Sequence, residues 1–179
     1  MYTLPERVAF GGRSYQLHAD FRNILKIFGV LQGDYPEYIR WRIALGLFYE
    51  PTLAEEDVEQ GLSYLAQFLQ PEGQGEPGPK LLDWQQDAAP IIAGVNAVAG
   101  QEIRSLPFVH WWTFLSWFHA MPPGELSTRV AIRQKRQKGQ KLEASEQEYY
   151  RQNKALVDLK PQYTAEEKAE MERLNELLK

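Results

Sequence analysis

Asp83 and Asp87 stand four positions apart, a spacing that places both carboxylates on one face of a helix. Such a pair can bind a cation or divide general acid and base work. It can also have a structural use, the first acid favouring a helix N-terminus and the second meeting an arginine. The structural use is the expectation here, with Arg104 and Arg133 as candidate partners and Asp87 to Arg133 as the favoured pair. His110 and His119 have no acid between them and do not make a His-x-x-x-His metal pair. They read as polar edges of a packed helix, and Asp20 in His18-Ala-Asp20 reads as a helix cap. No nucleophile motif, phosphate-cradling loop or dinucleotide fingerprint occurs, so no enzymatic activity, metal or cofactor is expected.

Charge is unevenly spread over a chain of net charge −4. Arg129, Arg133, Lys135, Arg136, Lys138 and Lys141 follow one another with no acid among them. A nucleic-acid site would want interleaved aromatics or a broader basic surface, and residues 127–141 have neither. A solvated or partner-facing helix is the expected reading, with nucleic-acid binding as an alternative. The chain has no cysteine, which excludes disulfides and thiolate ligands. No apolar run reaches the roughly 18 residues of a membrane span, and the first residues lack a signal-peptide layout.

Residues 106–123 are the densest aromatic stretch of the chain. They hold Phe108, Trp111, Trp112, Phe114, Trp117 and Phe118. At helical spacing Trp111, Phe114 and Phe118 share one face, with Trp112 on its flank and Trp117 roughly opposite. The shared face predicts a core; Trp112 and Trp117 are candidates for contact with a partner.

Val8 to Tyr15, broken by Gly11-Gly12, predicts a β-hairpin with Val8 opposite Tyr15. Asp20 caps a predicted helix carrying Phe21, Ile24, Leu25, Phe28 and Leu31 that stops at Gly33. A second runs from Asp34 and Pro36 to before Pro51, and a third follows a capping box of Thr52 and Glu55. The proline- and glycine-rich residues 71–79 predict a flexible loop. Helix resumes from about Leu81, with a kink or break near Asp87 imposed by Pro90. Beyond the tryptophan helix, Pro122-Pro123-Gly124 makes a stop, residues 127–138 a basic helix and Gly139 a break.

After that, Leu156, Leu159, Met171, Leu174 and Leu178 form narrow apolar stripes on polar helices, the second opened by a capping box of Thr164 and Glu167. Such stripes suit docking on a partner or another copy better than self-burial. The fold expected is mainly α: a multi-helix bundle with a small N-terminal β-hairpin and a C-terminal helical extension. The division expected is a hairpin and helical core in residues 1–128, then a basic helix and helical arm in 129–179.

The order of these motifs resembles a known family. Ala19-Asp20-Phe21, Asp83-Trp84-Gln-Gln-Asp87, Ile91-Ile92-Ala93, Phe108-Val-His110-Trp111-Trp112-Thr-Phe114, Pro122-Pro123 and Val130-Ala-Ile132-Arg133 are similar to the small helical "Gp-fifteen" proteins of tailed bacteriophages and prophages. The likeness covers about residues 15–138, and His-Trp-Trp-x-Phe is its most specific part. The family's genes lie in the tail module, between those for the major tail protein and the tape-measure protein. The resemblance therefore implies a non-enzymatic tail-assembly chaperone in the host cytoplasm. Its partners would be the tape-measure and tail-tube proteins, with homo-oligomers possible, and it would be absent from the finished particle. A structural tail or connector component is the alternative.

Overall fold

The computed structural model describes residues 3–70 and 80–160, which fall into two compact units at that break. Both are built mainly from α-helices.

In the first unit, strands β1 (Arg7–Phe10) and β2 (Arg13–Leu17) pair antiparallel with Val8 opposite Tyr15. Gly11 and Gly12 both have positive φ, which a two-residue turn of matching twist requires. At Gly11 there is a second constraint, because an added Cβ would stand 2.8 Å from Asp57 Oδ1. Helix α1 (Phe21–Leu31) starts at Asp20, whose carboxylate accepts from the Arg22 N–H at 3.0 Å and is clasped by the Arg22 guanidinium. Helix α2 (Glu37–Phe48) runs straight into a two-residue strand β3 (Tyr49–Glu50), which pairs with β2 and makes the hairpin a three-stranded antiparallel sheet. Two residues carry no alternation, so this strand leaves no trace in the sequence.

The capping box expected at Thr52 and Glu55 does not form. A 3-10 turn spans Glu55–Asp57, and helix α3 (Val58–Leu69) begins one turn later than expected. Asp57, the residue before α3, has a buried carboxylate that accepts from Tyr15 Oη at 2.6 Å and Arg13 Nε at 2.9 Å. The core between the sheet and helices holds Tyr15, Phe21, Ile24, Ile27, Phe48, Leu65 and Phe68.

In the second unit the helix expected from Leu81 is absent as far as Asp87. Asp83 instead organises a turn, accepting from the N–H groups of Gln85 and Gln86 at 2.9 and 2.8 Å. Helix α4 (Ala88–Ala99) then starts, so the break falls at Asp87 and Pro90 sits in the first turn, where its missing N–H leaves no helical bond unmade. Gly94 admits Met121, whose sulfur would collide with any Cβ there. Helix α5 (Trp111–His119) is followed by α6 (Glu125–Gln137) and α7 (Ala144–Val157). Gly139, with φ of 64°, makes the expected break between these last two. Ile91, Val95, Ile103, Trp111, Phe114, Ile132 and Val157 form the core.

The boundary expected at residues 128 and 129 is no division, because α6 and α7 belong to the same unit as α4 and α5. The part of the proposed arm that is described, residues 143–160, packs on that unit, with Val157 fully buried. The loop expected at 71–79 and the stripe of Met171, Leu174 and Leu178 lie outside the described residues.

Candidate functional site

The acids singled out by their spacing share a turn, not a helical face. Asp87 is fully buried, and the Asp83 N–H donates to its Oδ2 at 3.1 Å. Arg133 donates to both Asp87 oxygens, Nη1 to Oδ2 at 2.6 Å and Nη2 to Oδ1 at 2.9 Å, a bidentate pair. Arg129 adds a contact at 3.3 Å and reaches Glu125 as well. Burial alone would push the Asp87 carboxyl up, but the hydrogen bonds from Arg133, Asp83 and Arg129 and the charge on Arg133 hold it below the usual carboxylate range. Both oxygens of this carboxylate are taken up by partners of its own unit. Asp83 is bound to Lys80 at 2.7 Å and occupied with its turn. The other candidate, Arg104, pairs instead with Glu102.

Arg133 also explains why the following segment folds back. Its Nε donates to the Val157 carbonyl at 2.6 Å and Nη2 to that of Leu156 at 2.9 Å, satisfying acceptors that the end of α7 leaves unpaired. Gln86 serves the carbonyl of Asp158 at 2.8 Å. Further along the basic helix, Lys135 grips both Glu146 oxygens at 2.7 and 2.8 Å. Arg136 meets Asp158 and lies 4.2 Å above the Tyr150 ring. Four of the six bases in the run thus face acids of their own unit, and Arg129 and Arg133 are buried. The basic stripe of the sequence is largely neutralised in space by acids of its own unit.

His110 is buried and its Nδ1 accepts from the Trp112 N–H at 3.1 Å, making it the cap of α5, a role its neighbours in sequence do not reveal. His18 lies 3.4 Å from Glu50, and His119 ends α5. Among the described residues no group of three or more His, Cys, Asp and Glu is placed to hold a metal ion.

Trp111 and Phe114 are buried and stack with centroids 5.5 Å apart, and Trp84 packs against both and against Phe118. Phe118 itself is half-buried, as are Trp112, Trp117 and Leu159, while Leu156 is exposed. Leu156 faces outward because the neighbouring Val157 fills the core.

An apolar groove opens in the first unit, away from the residues singled out by the sequence. In the first unit α2 and α3 flank a groove of about 560 Å³ lined by Tyr38, Trp41 and Leu45 from α2 and Val58 and Leu62 from α3, with Glu37 and Arg42 at its edge. Tyr38 is 68% exposed and nearby Tyr35 62%. Tyr38, Trp41 and Leu45 recur at i, i+3 and i+7, one stripe of a helix. The signal was present, since α2 carries apolar residues on more faces than the buried Ala44, Leu45 and Phe48 use. Aromatics are denser on α5, where Trp111 and Phe114 are buried in the core of the second unit.

The family model described as Bacteriophage Gp15 protein matches residues 2–159. No curated protein and no solved structure matches the chain. The chain belongs to the bacteriophage Gp15 protein family.

Proposed function

We propose that this phage protein is a non-enzymatic tail-assembly chaperone. It receives a helix of the tape-measure protein in the α2–α3 groove and helps recruit tail-tube subunits, acting in the host cytoplasm and leaving before the particle is finished. The groove carries the reading. Its lining is apolar, with one acid and one base at the edge, the surface that an amphipathic helix recognises through anchors at i, i+3 and i+7. A tape-measure protein is long, helical and partly apolar, and uncovered apolar helices aggregate unless their faces are screened. Many chaperone copies along one such helix gain avidity without any single contact being tight.

Co-expression with the neighbouring tail genes followed by pull-down tests the proposal. Tyr38→Glu and Leu62→Glu are expected to abolish capture of the tape-measure protein while leaving the thermal melt in place. Capture undiminished in both variants overturns it. Mass spectrometry of purified particles checks the last step: stoichiometric copies there would make the protein a structural tail or connector component. Trp117→Ala reports whether the second unit adds a contact to the same partner.

A further inference from the structure

The apolar α2–α3 groove has a rim of unlike sides. On α2, Glu37 and Arg42 stand at its edge. On the other side, Glu55 of the 3-10 turn precedes the lining residue Val58 by three positions, and Glu59 precedes the lining residue Leu62 by three. Residues so spaced are neighbours on a helix surface. Glu56, between these two acids, is instead taken up by Arg13 of the hairpin at 2.6 Å. Glu37, Arg42, Glu55 and Glu59 are all exposed, and among the described residues none of them has an ion-pair partner. We propose that the groove selects a basic amphipathic helix, whose apolar stripe is bordered on one flank by two lysines or arginines a turn apart that meet Glu55 and Glu59. The proposal rests on the groove being the docking site, as above, and names the chemistry of the helix that it takes.

The lining cannot make this choice. Tyr38, Trp41, Leu45, Val58 and Leu62 offer contact to any helix with apolar anchors at the right spacing. Charge at the rim discriminates, because exposed acids speed the arrival of a cationic partner and oppose an anionic one. The net charge of −4 on the chain works in the same direction at long range. The two sides also differ, with acids alone by α3 and one charge of each sign on α2. A bound helix must therefore turn its basic flank to α3, which fixes its rotation about its own axis. The same rim disfavours a second copy seated groove to groove, since that contact sets two surplus-acid rims against each other.

The full chain is titrated with two synthetic helical peptides that share one length and one leucine stripe at i, i+3 and i+7. One carries two lysines a turn apart on one flank, the other two glutamates at those positions, and fluorescence anisotropy of a dye on the peptide reads binding. At low salt the lysine peptide is expected to bind about tenfold tighter or better, with the gap narrowing as salt screens the rim. Glu55→Lys with Glu59→Lys, both at exposed positions, is expected to reverse the preference, and Glu55→Gln with Glu59→Gln to erase it. Leu62→Glu adds an acid to the groove, yet binding there is expected to be lost. A lysine peptide that binds this variant more tightly than the parent is held by net charge alone, and overturns the proposal. Equal affinities for the two peptides, or binding of neither, also overturn it.

Capture of the tape-measure protein is scored separately by pull-down. A groove that prefers the lysine peptide, while capture survives Tyr38→Glu and Leu62→Glu, keeps its basic partner and removes the tape measure from it. Capture lost in those two variants but unchanged by Glu55→Lys with Glu59→Lys keeps the tape measure in the groove and overturns selection by the acidic rim.

Discussion

Each unit holds one buried aspartate fixed by arginine. Asp57 joins the hairpin to α3 through Tyr15 and Arg13, and Asp87 joins the turn before α4 to α6 through Arg133 and Arg129. The Tyr15 hydroxyl and Arg13 hold the Asp57 carboxyl below its ordinary range, as the hydrogen bonds described above do for Asp87. With both values lowered in the folded state, the native protein binds fewer protons than the unfolded chain across the ordinary carboxylate range. The stability these groups contribute is complete above that range and is lost as pH falls through it towards the lowered native values. Melting curves recorded from neutral to acid pH are expected to show a falling Tm, with Asp87→Asn flattening the acid limb; a Tm that rises on acidification refutes the assignment. Asp87→Ala leaves the buried Arg133 guanidinium without its carboxylate and Arg129 with Glu125 alone, and is expected to cost about 3–5 kcal/mol. Trp111→Ala should cost a similar amount, about 3–5 kcal/mol, by emptying the centre of the aromatic cluster. Chemical denaturation of both variants checks the magnitudes, and a loss under 1 kcal/mol for Trp111→Ala would place that ring outside the core.

Among the elements, α7 answers most sharply to its neighbours. Its apolar stripe is thin, but its last carbonyls receive Arg133 and Gln86, Glu146 receives Lys135, and Val157 closes the core. A chain ending at Lys141 is therefore expected to melt far below the full protein, with the loss confined to residues 80–141. Retention of the parental melt would return α7 to the role of a detachable arm. The packing of residues 143–160 on their own unit has a physical cause that the sequence hides. Arginine bonds to backbone carbonyls leave no pattern in side-chain types, so nothing at 143–160 announces the contact. The hairpin was legible because Gly11-Gly12 admits few conformations, and the Asp87–Arg133 pair because both residues flank apolar stripes. The N-terminal half of the 81–99 region was misread, since an Asp that caps a turn and one that begins a helix look alike four residues apart. The groove on α2 escaped notice because a helix apolar on several sides shows no single periodic face.

At the scale of the molecule, the buried aspartates find partners within their own units. Asp57, Tyr15 and Arg13 all lie before residue 71, while Asp87, Arg129, Arg133, Lys135, Glu146 and Asp158 all lie after residue 79. The aromatic clusters divide in the same way, Phe10, Tyr15, Phe48, Tyr49 and Phe68 on one side and Trp84, Trp111, Phe114 and Phe118 on the other. A unit whose buried charges find their partners internally has no reason to unfold when the other is removed. Residues 75–160 made alone are thus expected to fold, with the melting temperature of that unit in the intact chain and a hydrogen-exchange core at α4, α5 and α6. The Asp87→Ala variant of this fragment should be destabilised as in the full protein, since no partner of Asp87 lies outside it. Those expectations separate folding from function cleanly. If the tape-measure helix binds in the α2–α3 groove, the isolated 75–160 fragment must fold without capturing it; a fragment that captures it as well as the whole chain would move the binding surface to the tryptophan-bearing unit. A fragment that precipitates, with buried charges satisfied only in the intact chain, would show that the two units depend on each other.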